Sequence, residues 1–146
     1  MAKVTYSLPD DLLKKLSQTG ENMDAISEKV LKAGGEVVLQ KVKSNLESVI
    51  GKDTSSKSKS TGELANSLGL SKVLIDKNGN ANIKIGFSEP RKDGSSNAMI
   101  ANIIEYGKHG QPAKPFLKPA KLQSKNECIE VMKKTLEEEI NKKWTF

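Results

Sequence analysis

Ile100-Ala101-Asn102-Ile103-Ile104-Glu105-Tyr106-Gly107-Lys108-His109-Gly110-Gln111-Pro112-Ala113-Lys114-Pro115-Phe116-Leu117-Lys118-Pro119-Ala120 is the stretch on which the fold turns. It reads as a short apolar helix stopped at Gly107, a loop stiffened by glycine and proline, and a second helix opened by Pro115, Phe116 and Pro119. A connector of this kind fixes the direction of one helix relative to everything before it. Ile103, Ile104, Tyr106, Phe116 and Leu117 are expected in the core, with Gly107, Pro115 and Pro119 shaping the backbone. Lys108 to Lys114 is expected as an exposed loop.

Working outward, the region after Ala120 predicts a long helix with Leu122, Ile129, Met132, Leu136 and Ile140 on one side and charges on the other. Upstream, Met23, Ile26, Val30, Val37, Val38, Val42, Leu46 and Val49 recur at helical spacing and predict a second long helix over residues 23–50. Gly34-Gly35 in its middle costs about 1 kcal/mol per glycine relative to alanine, which points to another element crossing closely there or to a mild kink. Leu70 to Asp76 and Ala81 to Phe87 read as strands around Asn78-Gly79. A three-residue Lys77-Asn78-Gly79 loop with Gly79 left-handed sets Ile75 opposite Ala81 and Val73 opposite Ile83, and burial favours this register. A hairpin alone is marginal, so a third strand, Val4 to Leu8 or the chain terminus, is expected beside it. Ser60-Thr61-Gly62-Glu63 has capping-box spacing and opens a short helix ending near Gly69. Ser96 or Asn97 caps the helix that contains Ile100. The fold class expected is α+β: two long helices on a small, mainly antiparallel sheet with a central hairpin, plus short helices. Residues 1–146 form a single domain. Within it, 1–20 is an arm or short helix, 51–60 a mobile Ser/Lys loop and 88–97 an exposed loop. Trp144 and Phe146 are expected to dock back on the body.

Composition limits the function. The 146 residues carry a formal net charge of +6 and only 4% aromatics. A basic chain raises nucleic acid as a partner, and a Lys-rich nucleic-acid-binding module is one reading. Of the 24 basic residues only Arg91 is arginine, whereas base readout and bidentate phosphate grip favour arginine; the lysines are also spread among acids and read mainly as solvated surface. Cys128 is the single cysteine, which excludes an intrachain disulfide and fits a reducing compartment. No apolar run is long enough for a membrane span, and no signal-peptide pattern opens the chain, so the protein is expected to be made soluble in the cytoplasm. His109 is the only histidine, so one chain cannot supply a two-histidine metal site. Glu105, Tyr106 and His109 could be drawn as an acid-base set. A glutamate in the last turn of a helix sits at the unfavourable end of the dipole, and a specific partner such as a lysine or a backbone amide explains it more simply. No glycine pattern fits a phosphate loop. The chain is read as not an enzyme, without metal or cofactor.

Three motifs, in order, then carry a resemblance. Thr61-Gly62-Glu63-Leu64 follows a long helix and a polar loop. Ile85-Gly86-Phe87 ends a strand pair. Ile103-Ile104-Glu105-Tyr106-Gly107 is followed by Pro115-Phe116-Leu117-Lys118-Pro119-Ala120. Over about residues 23–140 the sequence resembles a family of small proteins from the head-tail junction of long-tailed bacteriophages, described as tail-component, tail-completion or head-tail joining proteins. It departs from the family pattern at Lys108, where a small residue is usual, and at Ile103 and Ile104, where an aromatic is usual. On this resemblance Thr61, Gly62, Leu64, Gly86, Glu105, Tyr106, Gly107, Pro115, Phe116, Pro119 and Ala120 are the motif and structural residues. The resemblance implies a structural virion protein that assembles as a homo-oligomeric, hexameric ring between the head connector and the tail tube, with DNA only as transiting cargo and no membrane. The loops bearing Lys57, Lys59, Arg91, Lys92, Lys108 and His109 are the candidate partner contacts.

Overall fold

The computed structural model describes residues 4–7, 23–51 and 62–144. The elements in chain order are β1 (Val4–Ser7), α1 (Met23–Val49), α2 (Glu63–Ser67), β2 (Leu68–Leu70), β3 (Leu74–Ile75), β4 (Ala81–Phe87), α3 (Asn97–Tyr106) and α4 (Leu117–Trp144). The architecture is α+β, with two long helices and a small antiparallel sheet. Apart from residues 4–7, the expected arm or short helix over 1–20 lies outside the described residues, as do most of the 51–60 loop, Phe146 and the side chain of Trp144.

β4 is the centre of the sheet: β1, β2 and β3 all pair with it, and its inward residues, Ile83 and Ile85, are both buried. β1 pairs antiparallel with it on one side, Val4 opposite Ile85 and Ser7 opposite Asn82, so the N-terminal segment is the third strand that the hairpin needs. On the other side Ile75 faces Ala81 and Leu74 faces Asn82, the register of the three-residue loop, and Gly79 is left-handed at φ 81. The Asp76 carboxylate closes that turn by accepting from the amides of Asn78 and Asn80.

The expected continuous strand from Leu70 to Asp76 is instead broken. Leu70 opposes Ile85 and Leu74 opposes Asn82, so three residues, 71–73, face two, 83–84. That extra residue is a bulge. Ser71 eases it, since its amide donates to the Lys84 carbonyl and its hydroxyl accepts from the Lys84 amide. The hydroxyl stands where a strand carbonyl would.

α1 lies between the sheet and α4, and its two central glycines show why it must be thin there. A Cβ on Gly34 would sit 2.5 Å from Met132 Cγ and 3.1 Å from Cys128 Sγ of α4. A Cβ on Gly35 would sit 3.1 Å from the Leu70 side chain of the sheet. Neighbours on a helix point about 100° apart, so the pair admits one close partner on each side. α4 runs antiparallel to α1, with Lys29 paired to Glu139 at one end and Asn45 bonded to Gln123 at the other.

The core is aliphatic: Ile26, Val30, Leu31, Val38, Val42 and Leu46 from α1, with Ile83, Ile85, Phe116, Met132 and Leu136. Burying each such side chain stabilises the fold by about 1.5–3 kcal/mol. Leu122 departs from expectation. It is 68% exposed, because the inward stripe of α4 is Leu117, Ala120, Ser124, Cys128, Met132 and Leu136. Small and polar residues carry that stripe where α1 crosses, and Leu122 falls out of phase with it. Burial raises the pKa of the Cys128 thiol, whose Sγ lies 3.6 Å from Met132 Sδ.

Candidate functional site

The joint between α3 and α4 is held by hydrogen bonds from side chains and backbone on both sides. α3 starts at Ser96, whose hydroxyl accepts from the Met99 amide. Its other free amides are taken by Glu89, which accepts from Asn97 N at 3.0 Å and Ala98 N at 2.6 Å, and from the Ser96 hydroxyl at 2.9 Å. These bonds, the one from Ala98 first, hold the Glu89 carboxyl below the usual glutamate range.

Glu105, in the last turn of α3, does the same for α4. It is 4% exposed, and it accepts from Phe116 N at 2.7 Å and Leu117 N at 2.9 Å on one oxygen and from Lys118 N at 3.1 Å on the other. The first four amides of a helix have no partner inside it. Here three end on one carboxylate, the fourth position is Pro119, which has no amide, and Ala120 N begins the intrahelical ladder on the Phe116 carbonyl. Every donor at this helix start is accounted for. The backbone-amide partner expected for Glu105 is therefore found, and its burial is explained by helix capping, with the carboxylate at the positive end of the α4 dipole.

The loop between them folds on itself. Gly107 has φ 77, and a Cβ there would lie 2.8 Å from Ala113 N and 2.8 Å from Gln111 O, so a side chain would collide with backbone. Lys108 and Gln111 exchange both backbone bonds, and Lys114 N donates to the Ile104 carbonyl at 2.7 Å. Phe116, fully buried, meets Phe87 edge to face with ring centroids 6.4 Å apart. Lys108, His109 and Pro115 are exposed, Pro119 is half-buried and Ala120 is fully buried.

Two expected placements change. Tyr106 is 75% exposed rather than in the core. Glu105 must face inward to reach the α4 amides, and the next residue round the helix is carried out to solvent. Glu105, Tyr106 and His109 thus do not converge on a common point: one is buried under amides and the other two face water. Arg91, expected on an exposed contact loop, turns inward with its side chain only 12% exposed. It donates to Asn97 Oδ1 at 2.8 Å and lies 3.6 Å from Glu63 and 3.7 Å from Asp93. The loop 88–96 is tied down further by Glu63, which accepts from the Lys92 amide, and by buried Asn97, which donates to the Ser88 carbonyl.

The expected capping box between Ser60 and Glu63 falls partly outside the described residues. α2 begins behind Gly62, left-handed at φ 78 with no side-chain cap, while Ser60, Thr61, Lys57 and Lys59 lie outside the described residues. Leu64 is buried, and Gly86 pairs with Gly69 across the strands over open space. A shallow groove of about 280 Å³ lies there, and among the described residues Lys84 is the one ionisable side chain lining it. Sequence reading missed Glu89 and Glu63 as loop anchors, because their partners lie 7 to 29 residues away in sequence with no periodic signal. Among the described residues no group of three or more metal-ligating side chains occurs, and no helix is long and apolar enough to cross a membrane.

With this geometry in hand, a family model described as "Bacteriophage HK97-gp10, putative tail-component" matches residues 10–107. The chain belongs to this family. The match takes in the long helix α1, α2, strands β2 to β4 and all of α3, leaves β1 outside, and ends at Gly107, where the joint turns. Glu105 lies inside the family segment and the amides that it caps lie beyond it. Neither the curated proteins nor the solved structures compared with the chain gave a match. Membership in the HK97-gp10-like family makes a structural, tail-related role the function supported here.

Proposed function

We propose that the protein is a structural subunit of the phage head-tail junction, which assembles as a sixfold ring and joins the completed tail to the head connector. The observation that carries this reading is the family match over residues 10–107. The joint supports it, because its polar groups are consumed within the chain and the exposed segment 108–113 has little left to do for the fold. On this reading Lys57, Lys59, Lys92, Lys108 and His109 belong to partner-contact loops, whereas Arg91, held by Glu63 and Asn97, serves the loop's own shape. Glu105, Gly107, Phe116, Pro119 and Ala120 hold the fold that presents those loops. The work of the protein is then interface formation without catalysis, cofactor or metal. Ordering of loops against neighbouring subunits is offset by the area they bury. The subunit is made soluble in the host cytoplasm and ends in the virion, with DNA passing the ring under weak contacts only.

Purified protein mixed with tails or tail-tube protein and viewed in negative stain should show rings or a capped tail end. Failure to associate with any neck or tail protein across a range of salt and concentration would reject the reading.

A further inference from the structure

Charge along α4 and its approach is segregated. Residues 106–126 contain five lysines and no carboxylate, whereas 127–139 contain five glutamates and two lysines. A distinct surface feature lies on each side of that divide. On the basic side Leu122 is 68% exposed. Lys118, four residues before it, and Lys125, three after it, share its helix face and are exposed as well. On the acidic side an open groove of about 390 Å³ runs between α1 and α4, lined by Glu36, Val37, Gln40, Lys41 and Glu127. Val37, packed against the core, supplies an apolar floor; Glu36 and Glu127 outweigh Lys41 on the rim by one charge. Among the described residues, Glu36, Glu127, Lys118 and Lys125 make no ion pair within the chain.

Leu122 and Glu127 stand five residues apart, about 140° round the helix, so knob and groove face different ways and cannot meet in one chain. We propose that the Lys118-Leu122-Lys125 face of one copy seats in the Glu36-Val37-Glu127 groove of the next, leucine over valine and lysines against glutamates. The inference rests on the ring reading above and supplies its subunit contact. Joining two unlike surfaces head to tail generates a ring when the rotation closes. An apolar centre with a charged rim is the usual anatomy of such contacts, and the rim charges set register and encounter rate. Nucleic acid bound on the basic side would use the lysines but leave both Leu122 and the acidic groove without a role.

Charge reversal tests this with the full chain. K118E/K125E has an acidic knob and an acidic groove, and E36K/E127K has a basic knob and a basic groove. Sedimentation velocity over a concentration series at about 50 mM salt should show each variant self-associating at least about tenfold more weakly than the native chain. An equimolar mixture of the two should regain assembly, as alternating copies, and so should the fourfold variant alone. Unchanged thermal unfolding of each variant checks that folding is intact. Native self-association that ignores both reversals overturns the contact, as does a native chain that stays monomeric yet still caps tails. Loss of binding to a short DNA duplex by K118E/K125E, with assembly unchanged, also overturns it and assigns the basic side to nucleic acid. Charge-dependent assembly with no docking on any tail or neck protein supports the contact and rejects the junction role instead.

Discussion

Removing the Glu105 carboxylate breaks the α3–α4 joint at one atom group. Glu105→Ala leaves the amides of Phe116, Leu117 and Lys118 without their acceptor, the first two of them buried. Hydrogen bonds to a charged group contribute about 1.5–3 kcal/mol each, and a buried amide left unpaired costs about 1–3 kcal/mol. The three bonds share one carboxylate and are not additive, and the Lys118 amide lies nearest to water, so the expected loss is about 3–5 kcal/mol. Against a typical total of about 5–15 kcal/mol, that is a large fraction of the stability. Glu105→Gln keeps one acceptor oxygen but turns an NH2 toward donors and removes the charge at the helix start, with an expected loss of about 1.5–3 kcal/mol. Urea unfolding followed by far-UV circular dichroism, fitted with a common slope, reads both values. A loss under about 1 kcal/mol for Glu105→Ala would refute the capping account, because it would mean that water or another group takes over these amides at little cost.

Other expectations follow from neighbouring contacts. Gly34→Ala should destabilise by about 1–3 kcal/mol despite the better helix propensity of alanine, because its Cβ would lie 2.5 Å from Met132 Cγ; in a double-mutant cycle with Met132→Ala, itself destabilising because Met132 is buried, the cost of Gly34→Ala should shrink. Phe116→Ala should cost about 3–5 kcal/mol and His109→Ala under about 0.5 kcal/mol in the same assay; the reverse order would mean that the inside and outside of the joint are exchanged. The Glu89 carboxyl, lowered mainly by the bond from the Ala98 amide, stabilises the fold above the ordinary glutamate value of about 4.3, and that contribution is lost as pH falls through its lower folded value. Glu89→Gln should therefore flatten the fall of the urea midpoint between about pH 5 and pH 2, and an unchanged slope would count against the Glu89 cap.

Periodicity made α1, the hairpin register and the crossing at Gly34 readable from sequence, because each is specified by local spacing or by the cost of a mid-helix glycine. The inner face of α4 was readable at Met132, Leu136 and Ile140 but not at its start. Leu122 suggests one phase, but the buried stripe runs through Ala120, Ser124 and Cys128, and at Gly34 α4 comes so close to α1 that Cys128 and Met132 line the contact. Ser124 is tolerated there because its hydroxyl is spent on the Ala120 carbonyl. The bulge at residues 71–73 was invisible because a serine side chain supplies the acceptor that a pattern of apolar residues cannot reveal. The 88–97 loop was readable as exposed over most of its length but not as tied down: Glu89 bonds amides eight and nine residues ahead and Glu63 holds the Lys92 amide from 29 residues behind, and composition does not record partners. Tyr106 was misplaced by treating the apolar residues of α3 as one face, when the buried acid beside it decides which way the helix is turned.

That acid also divides the molecule's labour. Because Glu105 and Pro119 between them satisfy the start of α4, the six exposed residues from Lys108 to Ala113 need hold nothing but their own turn. Their length and charge can then change without altering the angle between α3 and α4, provided that Gly107 and Phe116 stay. A virion subunit that must fit different neighbours on one scaffold gains from this separation. It has a direct consequence for mutation: alanine at Lys108 or His109 should leave unfolding unchanged while altering docking on tail or neck partners, whereas alanine at Gly107 should lower stability and docking together. If the loop substitutions destabilised the fold, the joint and the contact would be one structure, and the separation argued here would be wrong.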